Sequence, residues 1–257
     1  MMIGLASLSS LMLCRTALAL FATQPDQTDA ECTISTSVPT VDDAELPDPF
    51  KFANGTEITT KADFECRAQE ISLIMQQYEL GDYPPAPDSV TGTLSGNTIT
   101  VAVTVGSQSI SYTASISKPS GDGPFPAIIT VGGASIPIPS TVATITFNND
   151  EFAAQDSSAS RGQGLFYNLF GSSHSAGALT AWAWGVDRLV DALEQVNATS
   201  GIDTTHLGVT GCSRNGKGAF IVGALVDRIA LTIPQESGSG GAAVRKSHTH
   251  PVFDSRK

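Results

Sequence analysis

The sequence predicts an α/β fold, a three-layer sandwich around a doubly wound and mostly parallel sheet, and three observations carry that expectation. Residues 207–234 read as apolar strand, tight turn, helix and second strand, a complete β-turn-α-β unit. The β-branched runs at 126–131 and 142–147 have the near-continuous apolar character of strands buried in a parallel sheet. Residues 176–196 place Leu179, Trp182, Val186, Leu189, Val190 and Leu193 at helical spacing, a face that packs on such a sheet.

In chain order, residues 2–22 form an apolar run with Arg15 near its middle and the small-x-small site Ala17-Leu18-Ala19. This predicts a secretory signal peptide over 1–19 and an extracellular product. No later run is long enough to span a bilayer. Residues 31–88 are rich in Pro, Asp, Thr and Ser and read as a tethered lead-in, with one helix over 61–78 carrying Phe64, Ala68, Ile71 and Met75 on its apolar face. Residues 94–105 and 109–117 alternate in period two across Gly106-Ser107-Gln108, which predicts a hairpin at an antiparallel sheet edge. Gly132-Gly133 follows the 126–131 strand, either as a plain turn or as backbone N–H groups brought close to an oxyanion. Trp182 and Trp184 are read as core or rim packing. One catalytic-type domain is expected over 20–243, followed by a polar tail at 244–257.

Fourteen basic against 25 acidic side chains give a net charge of −11 and leave no basic patch, which excludes a nucleic-acid or anionic-membrane partner. The sequons at Asn54 and Asn197 fit glycosylation in a secretory compartment. Loss of residues 1–19 removes Cys14 and leaves Cys32, Cys66 and Cys212, an odd number where pairing is expected. Cys32 and Cys66 bracket a short segment that a bond would staple, and Cys212 is either tied to a partner not present here or a buried thiol filling space.

The octet Gly211-Cys212-Ser213-Arg214-Asn215-Gly216-Lys217-Gly218 joins the 207–210 strand to a helix over 217–225. An α/β-hydrolase places its nucleophilic serine at such a turn, where Oγ is lifted clear of the sheet and the helix N–H groups face developing oxyanion charge. The spacing departs from the usual elbow, because Asn215 stands two residues after the serine and the glycine comes one later. The alternative is an ordinary Gly/Ser turn capping a helix. Glu236, just past the 229–234 strand at the same sheet edge, is the candidate orienting acid or else a solvated loop residue. Arg214 and Lys217 are cations beside the serine, fit to assist the oxyanion and to reach a sugar, or else surface cations paired with carboxylates. No histidine is well placed as base: His174 and His206 precede the serine and read as structural or rim residues, and His248 and His250 sit in the polar tail. Their spacing supports no zinc site, and no phosphate-binding loop is present.

The octet, Gly132-Gly133-Ala134, the 177–185 segment GALTAWAWG and the 233–241 segment IPQESGSGG together resemble the fungal glucuronoyl esterases, carbohydrate esterases of family fifteen. The resemblance implies an α/β-hydrolase that cleaves 4-O-methyl-D-glucuronoyl esters linking glucuronoxylan to lignin alcohols, without metal or organic cofactor. It implies Ser213 as nucleophile, Glu236 as triad acid, Arg214 at the oxyanion and Lys217 on the sugar. It further implies a Cys32–Cys66 disulfide and pairing of Cys212 with a cysteine beside the catalytic histidine. The expected partners are glucuronoxylan and lignin–carbohydrate esters, and a monomer is expected. The resemblance runs from about 32 to 243, so 244–257 reads as foreign and the chain as lacking its C-terminal third, its catalytic histidine and its activity. Competing readings are another secreted serine esterase acting on acetyl or feruloyl groups, and a non-catalytic carbohydrate-binding protein on the same scaffold.

Overall fold

The computed structural model describes residues 32, 34 and 48–238. The chain divides into residues 1–33 and 34–257; Cys32 is the described residue of the first unit, and the fold below belongs to the second. The predicted signal peptide and the tail with His248 and His250 lie outside the described residues.

The lead-in helix α1 (Lys61–Met75) starts at a capping box, in which Thr60 Oγ1 accepts from Asp63 N–H and the Asp63 carboxylate accepts from Thr60 N–H. Its C-terminus runs into a π-helical turn, Gln76–Leu80. The expected apolar face is not the buried one: Phe64 and Ile71 are exposed, and the buried residues of α1 are Arg67 and Glu70. These two form an ion pair at 2.6 Å, and Glu70 also accepts from Ala53 N–H at 3.0 Å, which offsets part of the cost of burial and leaves Arg67 Nε without a partner among the described residues.

The sheet has seven strands in the order β1-β2-β3-β5-β4-β6-β7. Strands β1 (Ser89–Ser95), β2 (Thr98–Val105) and β3 (Gln108–Ser117) run antiparallel, and β3 continues antiparallel onto β5. The single strand expected over 94–105 is therefore two, broken at Gly96-Asn97, and β1 was hidden because it is mostly Ser, Thr and Gly without a buried row. From there the sheet is parallel: β4 (Phe125–Val131) pairs with β5 (Ala143–Phe147) and β6 (Ile202–Cys212), and β6 pairs with β7 (Ile229–Gln235).

The chain crosses from β5 to β6 through α2 (Asn149–Phe152), α3 (Leu165–Phe170), α4 (Ala178–Gln195) and α5 (Asn197–Ser200), and from β6 to β7 through α6 (Arg214–Leu225). Helix α4 is buried on nearly all sides, as its apolar residues on every face require. Trp182 and Trp184 are fully buried, as expected, and each indole N–H finds a carbonyl, that of Ala153 at 2.8 Å and that of Pro85 at 3.3 Å. Arg228, in the turn just before β7, pairs with Asp187, Asp191 and Glu194 and ties the β6-α6-β7 unit to α4.

Candidate functional site

Parallel pairing places the carboxyl ends of β5, β4, β6 and β7 in a row along one edge of the sheet, and each delivers one part of a site there. At the end of β6, Ser213 has φ 58° and ψ −122°, a conformation L-residues avoid, held at a cost of about 1–3 kcal/mol. Two backbone bonds impose it: Ser213 N–H donates to Gln235 O at 3.0 Å, and Lys217 N–H donates to Ser213 O at 3.0 Å. Ser213 occupies the N-cap of α6, yet its side chain makes no capping hydrogen bond. The residue is thus exposed and its hydroxyl uncommitted among the described residues, unlike that of a capping serine.

The unusual glycine spacing has a steric cause. A Cβ at Gly216 would lie 2.3 Å from the Gln235 carbonyl oxygen, so α6 packs against β7 only if this position is glycine. Asn215, where the elbow pattern expects glycine, has its own task. Its Oδ1 accepts from Asn149 Nδ2 at 3.1 Å, and its amide nitrogen fills the space that a Cβ on Gly132 would occupy, 2.2 Å away. The Gly132 N–H donates to Phe147 O at 3.1 Å, so of the glycine pair only Gly133 keeps an N–H without a partner among the described residues.

Cys212 and Gln235 are paired across β6 and β7, so Ser213 and Glu236 are the next residue of each strand. Glu236 also has positive φ, 46°, and is exposed. Its Oε2 receives the Cys212 thiol at 3.9 Å, a long contact to the free cysteine among the described residues. Cys32 and Cys66 are each disulfide-bonded.

Arg214 opens α6, and its guanidinium is held from the far side of the crossover. Nη2 reaches both oxygens of Asp150 at 2.9 and 2.7 Å, and Nη1 donates to Gln155 O at 2.9 Å with Asp156 at 3.5 Å. The reading of Arg214 as a cation paired with a carboxylate is therefore realised, and its Nε–H remains without a partner among the described residues. The Lys217 ammonium makes no ion pair there. Two cations and no acid in the first turn oppose the helix dipole, which favours an anionic group at that end.

The described histidines are engaged elsewhere. His174 Nδ1 accepts from Ala176 N–H at 3.1 Å, and its ring packs on Phe166 and Phe170. Burial holds its pKa below the usual 6.5, with Asp82 working against that shift and Arg161 adding to it. His206 is exposed and bonds Asp203 at 2.8 Å. Neither bonds Ser213 or Glu236. Asn54 and Asn197 are both exposed, and Asn54 Oδ1 accepts from Thr56 N–H at 2.9 Å. A cavity of about 590 Å³ lined by Tyr78, Asp82, Arg161 and Ser175 includes none of these strand-end residues. Among the described residues no group of His, Cys, Asp or Glu could hold a metal ion. Asn149 and Asp150 went unnoticed in the sequence, and Asn215 was noticed only as a departure from the elbow spacing; the signal available for the first two was a run of polar residues directly after a parallel strand.

The strand order, the crossover helices and the strained serine between β6 and α6 define an α/β-hydrolase. Comparison with known proteins narrows the class. The family model described as glucuronyl esterase, fungi, matches residues 101–252. The chain is 74% identical over 82% of its length to a 4-O-methyl-glucuronoyl methylesterase of Thermothelomyces thermophilus and 68% identical over 91% to one of Neurospora crassa. The crystal structure of the glucuronoyl esterase of Sporotrichum thermophile superposes with TM-score 0.81 at 74% identity, covering 82% of this chain and 58% of that one. The catalytic domain of the Hypocrea jecorina glucuronoyl esterase gives 0.78 at 55%, covering 81% and 57%. The chain belongs to the fungal glucuronoyl esterases. It spans 54% and 60% of the Thermothelomyces and Neurospora proteins.

Proposed function

We propose that the full gene product hydrolyses esters of 4-O-methyl-D-glucuronic acid, of the kind that join glucuronoxylan to lignin alcohols, through an acyl-enzyme on Ser213. The observation that carries this reading is the exposed Ser213 hydroxyl on a strained turn at the mouth of α6, one strand from Glu236. In the reading, Ser213 Oγ attacks the uronoyl carbonyl while a histidine base takes its proton, and Glu236 orients that base. Negative charge developing on the carbonyl oxygen meets the first N–H groups of α6 and the Arg214 side chain, and Lys217 contacts the sugar. The alcohol leaves with the proton returned by the base, and water repeats the sequence to release the acid. Further support comes from a solved relative, the serine-to-alanine mutant of the Sporotrichum thermophile esterase in complex with methyl 4-O-methyl-β-D-glucopyranuronate, 74% identical to this chain.

In this reading the base is a histidine other than His174 and His206, which are bonded elsewhere. Secretion, with cleavage near residue 19 and glycans on Asn54 and Asn197, completes the proposal; intact-mass measurement of the secreted protein checks all three. The functional test is a panel of methyl 4-O-methyl-glucuronate, acetylated xylan and a feruloyl ester. Turnover of the first alone is expected. Preference for either of the others assigns a different serine esterase, and xylan binding without any turnover that survives Ser213→Ala assigns a binding protein.

A further inference from the structure

We propose that Asp150 is a positioning residue for Arg214, setting the guanidinium so that its remaining Nε–H meets the carboxyl oxygen of a uronate ester; this rests on the esterase reading. Asp150 and Asn149 open α2, at the end of β5, and they hold consecutive residues of the elbow. Asn149, 1% exposed, binds Asn215, and Asp150 takes Nη2 of Arg214 with both oxygens. Asn149 Nδ2 also lies 3.3 Å from Asp150 Oδ1, so the two grips are joined. The neighbouring Gln155 carbonyl and Asp156 carboxylate take Nη1, so both terminal nitrogens of Arg214 are held by the 150–156 segment while Nε–H is left over.

Stability does not account for this arrangement. The Arg214 and Asp150 side chains are 38% and 47% exposed, and ion pairs this open to water contribute little to folding. A cation at the first position of a helix is also the wrong charge for the helix dipole. What several acceptors on one guanidinium do supply is direction, because the planar fork can meet them in one orientation only. An arginine free to swing would lose that orientation, and with it the part of its interaction with the ester oxygen that depends on geometry.

The test is made in the Ser213→Ala background, where bound ester is not turned over. Methyl 4-O-methyl-β-D-glucopyranuronate is titrated into this variant and into the same variant carrying Asp150→Asn, Arg214→Met or both. The expected result is weakening by about tenfold for Asp150→Asn, and no further weakening when it is added to Arg214→Met. Asp150→Glu restores part of the affinity. Equal weakening with and without Arg214, or none at all, overturns the proposal. Nitrogen-15 NMR of the Arg214 guanidinium gives a readout that needs no ligand: hindered rotation about the Nη bonds with Asp150, averaged signals with Asp150→Asn. Unchanged signals overturn the positioning role. Lost hindrance together with no ester binding by any variant leaves Asp150 as the residue that orients Arg214 and removes the glucuronoyl ester as its object.

Discussion

In the antiparallel half of the sheet, β3 buries every second residue and turns the others to solvent; in the parallel half, β4 buries every residue from Ala127 to Val131. The hairpin turns of the first half have room, and a Cβ on Gly96 or Gly106 would meet nothing within 4 Å. At the strand ends of the second half, Gly132 and Gly216 sit against an asparagine side chain and a backbone carbonyl. Among the described residues, every candidate catalytic residue lies in the second half, and so do both non-glycine residues with positive φ, Ser213 and Glu236. Backbone strain at non-glycine residues thus gathers where the chain changes from strand to helix or loop at the carboxyl edge, and the antiparallel half serves as support.

The largest difference between the halves is in chemistry. Ser213→Ala in the full gene product is expected to lower kcat on the order of 10⁶-fold without lowering the melting temperature. Tyr112→Phe removes a buried hydroxyl that donates to Gly185 O at 2.7 Å from β3. It should cost about 1 kcal/mol of stability and leave kcat within about twofold. Paired kinetic and urea-unfolding measurements separate the two. A Tyr112→Phe enzyme with crippled kcat would erase the distinction.

Glycine replacement gives the next effect. Gly216→Ala drives a methyl group into the Gln235 carbonyl at 2.3 Å and should cost about 3 kcal/mol, moving Ser213 and Glu236 apart. Gly106→Ala meets open space but keeps φ 57°, and should cost about 1 kcal/mol with activity intact. A smaller effect of opposite sign follows from the strain itself: Ser213→Gly relieves φ 58° and should raise stability by about 1 kcal/mol while abolishing turnover. Equal or lower stability would mean that the turn is not strained.

The smallest effect is acid sensitivity at His174. Its folded-state pKa lies below 6.5 because the ring is desolvated, and its Nδ1 must stay unprotonated to accept from Ala176 N–H. The neutral ring's contribution is present above pH 6.5 and fades as pH falls through the lower folded value. An NMR titration of this ring should give a midpoint below that of an unfolded histidine, with earlier loosening of the 171–177 loop in acid than of the β6–α6 turn.

The parallel half was legible because β-branched runs next to glycine-rich turns have few other readings, and the placement of Ser213 and Glu236 at one sheet edge follows from where those strands end. The octet's misplaced glycine looked like a weakness and is explained by contacts distant in sequence, with Asn149 and Gln235. Helix α1 was misread on its buried face, since an apolar pattern cannot announce that Arg67 and Glu70 will neutralise each other inside. The Asp150 grip on Arg214 was invisible for the same reason: 64 residues separate the partners, and only the crossover from β5 to β6 brings them together.

The most direct test of the account is acid quenching of the full gene product during turnover of methyl 4-O-methyl-D-glucopyranuronate, followed by peptide mass spectrometry. The account predicts the uronoyl adduct on the peptide containing Ser213 and its absence from Ser213→Ala. An adduct on another residue, or hydrolysis that survives Ser213→Ala, would contradict it.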